Sequence, residues 1–246
     1  MKKSSIIAVA IFGIAMIAAV WIGGSYFNKA RGRAKTVSVV GMAQRDFTSD
    51  LIVWDISYSV LNDDLKQGYT DLKGMTQIVN QYLLNKGVKE NEMTFEAVSN
   101  YKETDYRYND QTHTSQTVFL GYRLTQRVRI ESGNVDQIEK LYREIPELLD
   151  QGISIDNNSL SFYYTKLADL KVEMLAEATE NARTRAETIA KSAGARLGGL
   201  QVANMGVFQI TAPNSTDEDF SWGGAYNTTS KQKRASINMR LTYNVK

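Results

Sequence analysis

Three long stretches of alternating apolar and polar residues constrain the fold of this chain more than any other feature. They cover residues 50–61, 117–131 and 235–245. Successive side chains of a β-strand point to opposite faces of a sheet, so each stretch predicts a strand with one buried and one wet face. Strands of that kind are typical of antiparallel sheets, because parallel sheets are usually covered on both faces.

Apolar residues at helical spacing lie between these strands, and they predict helices that alternate with the sheet strands. The helices are predicted over 65–83, 138–149 and 167–193. Shorter strands are predicted over 36–43, 95–101, 153–164 and 200–211. Polar loops are predicted over 102–116 and 212–230. Helices segregated from mostly antiparallel strands indicate an α+β fold. Residues 50–131 and 153–245 share one order of elements, which predicts two weakly repeated β-α-β-β units.

Capping residues predict where the helices begin and end. Asn62 is predicted to cap the first helix through its side-chain oxygen, and Asn134 with Gln137 resembles a capping box for the second. Gly87 and Gly194 fit the position just after a helix, where a left-handed backbone is common. Gly152 should end the helix that Pro146 restarts, and Gly198-Gly199 predicts a turn.

The long helix over 167–193 carries a stripe of mostly small apolar residues. Its predicted inward face is Leu170, Met174, Ala178, Ala182, Ala186, Ile189 and Ala193. Small side chains let a helix lie close to a sheet, so this stripe indicates core packing, with a helix–helix oligomer seam as the alternative. Glu187 and Lys191 are expected to form an ion pair on the outer face.

An uncharged apolar run from Ile6 to Ile22 follows Met1-Lys2-Lys3. A membrane-spanning helix needs roughly 20 apolar residues, and a signal-peptide core has about 7–15. The run therefore predicts a membrane anchor and short linker over residues 1–35, with a cleaved signal peptide as the alternative. Trp21 stands where an interfacial aromatic residue is expected. A single soluble domain is predicted over 36–246.

Composition removes several classes of chemistry. The chain has no cysteine and one histidine, so thiolate nucleophiles, disulfides and multi-histidine metal sites are excluded. His113 lies in a polar stretch whose hydroxyl residues are only its sequence neighbours and form no catalytic motif with it. This indicates a surface residue rather than a catalytic base. Asp63-Asp64 and the acidic run 217–219 lack the spacing of a calcium loop. We therefore predict a protein that is not an enzyme, with no catalytic, cofactor-binding or metal-binding residues and no cofactor.

Arg123, Arg127 and Arg129 lie on the wet face of one predicted strand. They are consistent with a solvated strand face, a subunit interface or a phosphate-binding surface. Net charge is only +2, and Phe119 is the sole aromatic residue interleaved with the arginines. Proteins that bind nucleic acid usually combine a basic surface with such aromatic residues, so no nucleic-acid partner is expected.

Aromatic residues occur in both predicted loops, and exposed aromatic residues often mark a contact surface. They are Tyr106, Tyr108, Phe220, Trp222 and Tyr226. We expect either a contact with a partner or second subunit, or local packing within each loop.

Residues 178–198 resemble a segment that is typical of the SIMPL-domain family of bacterial exported proteins. Their sequence is Ala-Thr-Glu-Asn-Ala-Arg-Thr-Arg-Ala-Glu-Thr-Ile-Ala-Lys-Ser-Ala-Gly-Ala-Arg-Leu-Gly. That family typically shows Ala-x-x-x-Ala-Arg-x-x-Ala-Glu-x-(Leu/Ile)-Ala followed by a Gly-x-x-Leu-Gly turn. Val-Val-Gly-Met at 39–42 and Gly-Tyr-Arg-Leu-Thr-Gln-Arg-Val-Arg-Ile at 121–130 extend the resemblance to about 36–246. Thr48-Ser49-Asp50 departs from a Pro-Asp pair that is frequent in the family.

The resemblance implies an envelope protein that is linked to oxidative or envelope stress and assembles into a homo-oligomeric scaffold. It also favours a single-pass inner-membrane protein with its soluble domain in the periplasm, or a soluble periplasmic protein if the segment is cleaved. Lys2 and Lys3 support that orientation, whereas the cations at 29–35 oppose it. A second envelope protein is a possible partner. The alternative function is a monomeric ligand- or peptide-binding module that uses the loops 102–116 and 212–230.

Overall fold

The computed structural model describes residues 12–22, 35–110, 113–214 and 223–246. These residues form an α+β fold with mostly antiparallel strands in two sheets, which confirms the predicted fold class. The strands are β1 Thr36–Thr48, β2 Leu51–Asn62, β3 Met93–Phe95, β4 Ser99–Asn109, β5 Thr114–Ser132, β6 Asn157–Tyr163, β7 Leu197–Met205, β8 Gln209–Thr211 and β9 Gln232–Val245. The helices are α1 over 12–22, α2 Leu65–Asn85, α3 Val135–Glu144 and α4 Leu167–Ser192, with 3₁₀ helices at Glu90–Glu92 and Ile145–Gln151.

The predicted membrane anchor lies mostly outside the described residues. Residues 12–22 are helical, and their side chains are exposed. Within the part of the chain that the structure describes, no helix combines the length and apolar character that a bilayer crossing needs. The anchor over 1–35 therefore stays a prediction.

The larger sheet has β5 and β2 at its centre. β2 pairs with β5 from Ile52–Ser132 to Asn62–Tyr122, and β6 pairs with the other edge of β2. β3 and β4 both pair with the remaining edge of β5, at its C-terminal and N-terminal parts. The alternation of the first predicted strand is confirmed, because Ile52, Trp54 and Ile56 are fully buried.

α2 covers the buried face of this sheet. Leu72, Val79 and Leu83 join the core that the β2 side chains form. Full burial of one large apolar side chain stabilises a fold by about 1.5–3 kcal/mol as an upper estimate. The indole nitrogen of Trp54 donates to Asn158 Oδ1 at 2.6 Å, so its one polar atom is satisfied inside the core.

The smaller sheet has the order β1-β9-β7, and β8 pairs with the first half of β9. Leu241 and Tyr243 of β9 pack with Val39 of β1 against two alanines of α4, Ala182 and Ala186. The predicted alanine stripe is therefore core packing in this sheet. Ile189 is 49% exposed and Ala193 is also exposed, whereas Ala190 is buried, so the last two predicted stripe positions were wrong.

The described residues divide into two compact units. The first contains the described residues up to Ala43, Leu175–Gly206 and Asn238–Lys246, and the second contains Gln44–Met174 and Val207–Ile237. The core built on β2 belongs to the second unit, and the alanine-lined core belongs to the first. The single domain predicted over 36–246 stays a prediction.

Two helix starts differ from prediction. Asp64, not Asn62, caps α2, because its carboxylate accepts from the Gln67 N–H at 2.8 Å. The Asn62 side chain instead accepts from the Asp64 N–H at 2.9 Å. Asn134 precedes α3 as predicted, but its amide donates to the Gln137 side chain at 2.7 Å, so no capping box forms.

Helix ends follow the glycines. Gly87 and Gly194 have φ values of 88° and 69°, which confirms the predicted left-handed positions, and Gly152, which was predicted to end a helix, has a φ of 77°. On the surface of α4, Glu187 pairs with Arg183 at 3.0 Å rather than with Lys191, so that predicted ion pair was wrong.

Several predicted strands and loops have different boundaries. The stretch 102–116 is not a loop, since β4 extends to Asn109 and β5 begins at Thr114. The range 95–101, predicted as one strand, contains the end of β3 and the start of β4. In the range 153–164, the strand is β6, which is limited to Asn157–Tyr163. Gly198-Gly199 lies within β7 instead of in a turn, and 206–208 interrupts the strand predicted over 200–211.

The predicted repeat exists in the order of elements but not in every strand pairing. β2-α2-β3-β4-β5 and β6-α4-β7-β8-β9 share one order. β5 pairs with the first strand of its own repeat, β2, whereas β9 pairs with β1 and leaves β6 to extend the larger sheet. The strand that precedes the first repeat thus takes the place that β6 would have had.

Candidate functional site: an exposed β-ribbon

β4 and β5 form a long hairpin that extends beyond the larger sheet. β4 pairs with β5 from Ser99–Thr125 to Asn109–Thr114, whereas the pairing of β2 with β5 ends at Asn62–Tyr122. Residues 103–109 and 114–121 therefore form a two-stranded ribbon, without a third strand in the part of the chain that the structure describes. We call this segment the β4–β5 ribbon.

A β-bulge marks the base of the ribbon. Glu103 pairs with Gly121 and Thr104 pairs with Phe119, so Leu120 is the extra residue. Gly121 has a φ of 143°, and a Cβ there would come within 2.9 Å of the Asn62 carbonyl oxygen. Bulges bend a strand and increase its local twist, so this one redirects the ribbon where β2 ends.

Tyrosine side chains are exposed on the ribbon. Tyr106 is 77% exposed and Tyr108 is 59% exposed, and the Tyr108 hydroxyl lies 3.1 Å from His113 Nδ1 at the hairpin turn. Phe119 packs edge-on against Tyr122, with 5.3 Å between ring centroids, yet it stays 47% exposed. Exposed aromatic side chains of this kind are enriched at protein interfaces.

The outer edge of β4 is an open sheet edge among the described residues, because only β5 pairs with β4. An open edge presents unpaired N–H and C=O groups, which can bind another extended strand. This edge also carries charges of both signs, including Lys102, Asp105 and Arg107. Arg107 Nε lies 3.3 Å from Asp105 Oδ2 in an exposed pair.

The ribbon base is held by a partly buried ion pair. Arg123 donates through Nη2 to Glu103 Oε1 at 2.9 Å, also contacts Oε2 of the same carboxylate through Nε, and donates to Ser59 Oγ at 3.2 Å. The hydrogen bonds between Glu103 and Arg123 lower the pKa of the Glu103 carboxyl and raise the pKa of the Arg123 guanidinium. The two residues fix β4 and β2 to the same part of β5.

The other two arginines of the strand also have acidic neighbours. Arg129 donates to both oxygens of Asp55 at 2.8 and 3.1 Å, and Arg127 lies 3.4 Å from Glu96. Hydrogen bonding to Asp55 raises the pKa of Arg129. Arg127 and Arg129 are about half exposed and already have acidic neighbours within their own strand face, which favours the solvated strand face among the alternatives.

A groove lies beside the ribbon base, between the start of α2 and the sheet. Its volume is about 750 Å³, and its lining includes Asp63, Lys66, Tyr69, Asn100 and Tyr122. Tyr69 is 53% exposed. Ligand pockets usually have volumes of about 300–1,000 Å³, and the volume of this groove lies within that range.

Sequence reasoning missed an ionic cluster at the end of α2. Lys86 Nζ lies 2.9 Å from Glu144 and 2.7 Å from Glu147, and the Tyr82 hydroxyl donates to the Glu144 carbonyl oxygen at 3.2 Å. Burial raises the pKa of Tyr82, and the Lys86 hydrogen bond lowers the pKa of Glu144. The cluster ties α2 to the end of α3. The only sequence signal was a lysine at a helix terminus.

The histidine and acidic residues that were considered as candidates for catalysis or metal binding do not lie together in the described residues. His113 lies at the hairpin turn and contacts Tyr108. Asp64 acts as a helix cap, and no group of three or more His, Asp or Glu residues could hold a metal ion within the described ranges. The acidic run 217–219, Phe220 and Trp222 lie outside them. Tyr226 is 41% exposed, and its ring lies 6.4 Å from that of Tyr163.

Comparison with protein families finds one match that covers most of the chain. Residues 37–242 match the family described as SIMPL, protein of unknown function (DUF541). No curated protein matches the chain.

Proposed function

Because this chain belongs to the SIMPL family, we propose that it is a non-catalytic cell-envelope protein that works by assembling into a homo-oligomeric scaffold. Assembly needs a surface that one subunit leaves open. The β4–β5 ribbon supports such a role, since it combines an open sheet edge with exposed tyrosines at 106 and 108. Interfaces are enriched in tyrosine, which contributes a large contact area at a low cost in side-chain entropy.

The scaffold is anchored in the inner membrane and faces the periplasm in this proposal. Support comes from the apolar run Ile6–Ile22 and from the two lysines before it. A second envelope protein is a possible partner of the assembled scaffold. The proposed link to oxidative or envelope stress is supported by the family resemblance, whereas a chain without cysteine has no thiol that could sense an oxidant.

The mass of the full chain in detergent tests the proposal. Light scattering at several protein concentrations should give a discrete multimer after subtraction of the bound detergent. Tyr108→Ser should shift the distribution toward monomer, because it removes an exposed aromatic ring from the ribbon. Tyr69→Ser is the matched control, since Tyr69 is also about half exposed but lies on α2. A monomer at all concentrations would overturn the assembly proposal.

The groove beside the ribbon favours a second candidate function, a monomeric module that binds a small ligand or a peptide. Its volume of about 750 Å³ is large enough for a small molecule, and Tyr69 and Tyr122 offer two aromatic surfaces. A bound ligand would raise the melting temperature of the full chain by mass action. In this case Tyr69→Ser should abolish the stabilisation and Tyr108→Ser should leave it intact, which is the reverse of the pattern expected for assembly.

A further inference from the structure

We propose that two copies of this chain pair edge to edge through β4, antiparallel, with Tyr106 of one copy opposite Tyr106 of the other. The inference rests on the proposed assembly and names its contact surface. The surface is the outer edge of residues 103–109, which the ribbon carries past the last β2–β5 pair at Asn62–Tyr122. β4 lies at the sheet edge among the described residues, so its outer backbone groups face away from β5.

Symmetry limits how two such edges can meet. Two identical antiparallel edge strands are related by a two-fold axis perpendicular to the sheet, and residues directly opposite each other share a face. Since faces alternate along a strand, opposed residue numbers must both be odd or both be even. One residue therefore lies opposite its own copy, and the axis passes midway between these two copies. Registers that pair seven or more residues of Ser99–Asn109 therefore have their axis at one of the residues 102–106.

Charge disfavours four of these five registers. An axis at Lys102, Glu103 or Asp105 places that residue opposite its own copy, so two like charges meet. An axis at Thr104 places Glu103 opposite Asp105, which again opposes like charges. Like charges directly opposite each other in a sheet are destabilising, so each of these registers is disfavoured.

The remaining register, centred on Tyr106, is electrostatically self-complementary. It places Asp105 of each copy opposite Arg107 of the other, so two oppositely charged pairs flank the axis. One step outward, Thr104 lies opposite Tyr108, and the last pair of the strand is Glu103 opposite Asn109. No like charges are opposed in this register.

The central aromatic pair adds contact area to this register. Tyr106 is 77% exposed and Tyr108 is 59% exposed in one subunit, and the pairing would bring the two Tyr106 rings together across the axis. Aromatic cross-strand pairs stabilise a sheet beyond its backbone hydrogen bonds. A closed two-fold contact of this kind occupies the β4 edges of both copies, so by itself it forms only a dimer. A larger multimer would need a second contact through a different surface of the subunit.

Single-cysteine crosslinking tests the register, and the absence of native cysteine leaves no background. Opposed residues in an antiparallel pair have Cα atoms about 4.5–5.5 Å apart, which a disulfide can bridge. The full chain with Tyr106→Cys should therefore form a reducible dimer on mild oxidation. Tyr101→Cys is the control on the same exposed strand, because its two copies would lie about 33 Å apart at ~3.3 Å per residue.

Charge reversal tests the complementarity. Arg107→Asp would oppose two acidic residues on each side of the axis, and dimer affinity should fall about ten-fold. The double variant Asp105→Arg/Arg107→Asp restores opposite charges across the axis and should restore the affinity. Both side chains are exposed, at 67% for Arg107 and 49% for Asp105, so the fold itself should tolerate the changes.

The outcomes separate this inference from the proposed function. A full chain that forms multimers but crosslinks equally at positions 101 and 106, or not at all, would overturn the β4 pairing and leave the scaffold proposal standing. A full chain that is monomeric by light scattering would overturn both. Multimers that crosslink at position 106 alone and lose affinity only in the single charge reversal would support the pairing.

Discussion

At the scale of single residues, the hydroxyl of Tyr58 shows how the core accommodates a polar atom. It donates to Thr76 Oγ1 at 3.0 Å, and that hydroxyl in turn donates to the Leu72 carbonyl oxygen at 2.9 Å. Alternation along β2 was enough to predict that Tyr58 points inward. It did not identify the partner, because Thr76 lies on the helix packed above and the pattern of one element contains no information about the facing one.

Tyr58→Phe should reveal this hydroxyl through the pH dependence of stability. Burial raises the pKa of Tyr58 to about 12. The unfolded chain therefore ionises near pH 10 while the folded one stays neutral, and this contribution to stability is present below pH 10 and lost as the pH rises toward 12. At pH 7 the variant should be less stable by about 1 kcal/mol for the lost hydrogen bond.

Urea unfolding of both proteins at pH 7, 10 and 11.5 checks the expectation. The stability difference between the parent chain and the Tyr58→Phe variant should shrink as the pH rises past 10, since only the parent chain has a phenol to ionise at this position. The pairwise comparison cancels the titration of lysines and other tyrosines. A difference that stays constant over this range would contradict the assigned burial effect.

At the scale of elements, β4 was the largest error of sequence reasoning, and the reason is physical. Periodicity reveals a strand only when one of its faces is buried. Residues 104–108 of the ribbon are exposed on both faces, with Tyr106 and Tyr108 on one face and the charged Asp105 and Arg107 on the other. Neither face is a row of buried aliphatic residues, so the stretch resembled a loop. Tyr106 and Tyr108, which the sequence singled out as a possible contact surface, are exposed, but on a ribbon rather than in a loop.

The close approach of α4 to β1 explains the other error at this scale. Ile189 was expected to face inward because it is apolar, yet the helix lies so close to the strand that alanines fill the contact. A Cβ on Gly41 would overlap the backbone oxygen of Ala178 and lie 2.6 Å from the Ala182 Cβ. Side-chain size, rather than polarity alone, therefore decides which residues face the sheet.

Gly41→Ala tests this packing. Backbone atoms of the helix cannot rotate away as a side chain would, so the added methyl group should destabilise the fold by about 1–3 kcal/mol. Gly74→Ala is the matched control, because the same substitution in the middle of α2 meets nothing within 4 Å and should stabilise the helix by about 0.5–1 kcal/mol. Opposite changes in thermal midpoint are expected, and equal changes would contradict the close approach.

At the scale of the whole molecule, sequence patterns predicted the buried faces of β2, β5 and β9 but not which strands are neighbours. β6 was grouped with α4 and β9 by the repeat, yet it pairs with β2. Alternation is a property of one strand and its core, whereas pairing depends on loop geometry and on competition between edges. Ion pairs such as Lys231 with Glu139 join residues far apart in sequence. They could not be predicted either, because the pattern of one element does not identify its neighbour in the fold.

Four such ion pairs should govern acid stability. The pKa values of Asp46, Glu103, Glu139 and Glu144 are lowered by hydrogen bonds from Arg234, Arg123, Lys231 and Lys86 respectively. A carboxyl whose pKa is lower in the folded chain contributes stability above its unfolded pKa of about 4, and that contribution is lost as the pH falls through the folded value. All four lie in the second unit, the part built around β2 and β5.

The free energy of unfolding should therefore be nearly constant from pH 7 to about 5 and fall progressively below about pH 4.5. The double variant Glu139→Gln/Glu144→Gln loses two of the four titrating groups, so its profile should be flatter on the acid side although it starts from a lower stability at pH 7. Urea unfolding monitored by tryptophan fluorescence follows the second unit through Trp54, which is buried in its core, whereas Trp21 is already exposed in the folded chain. If both proteins lost stability with the same slope below pH 4.5, other groups would control acid unfolding, and the ion pairs would serve to orient elements rather than to stabilise them.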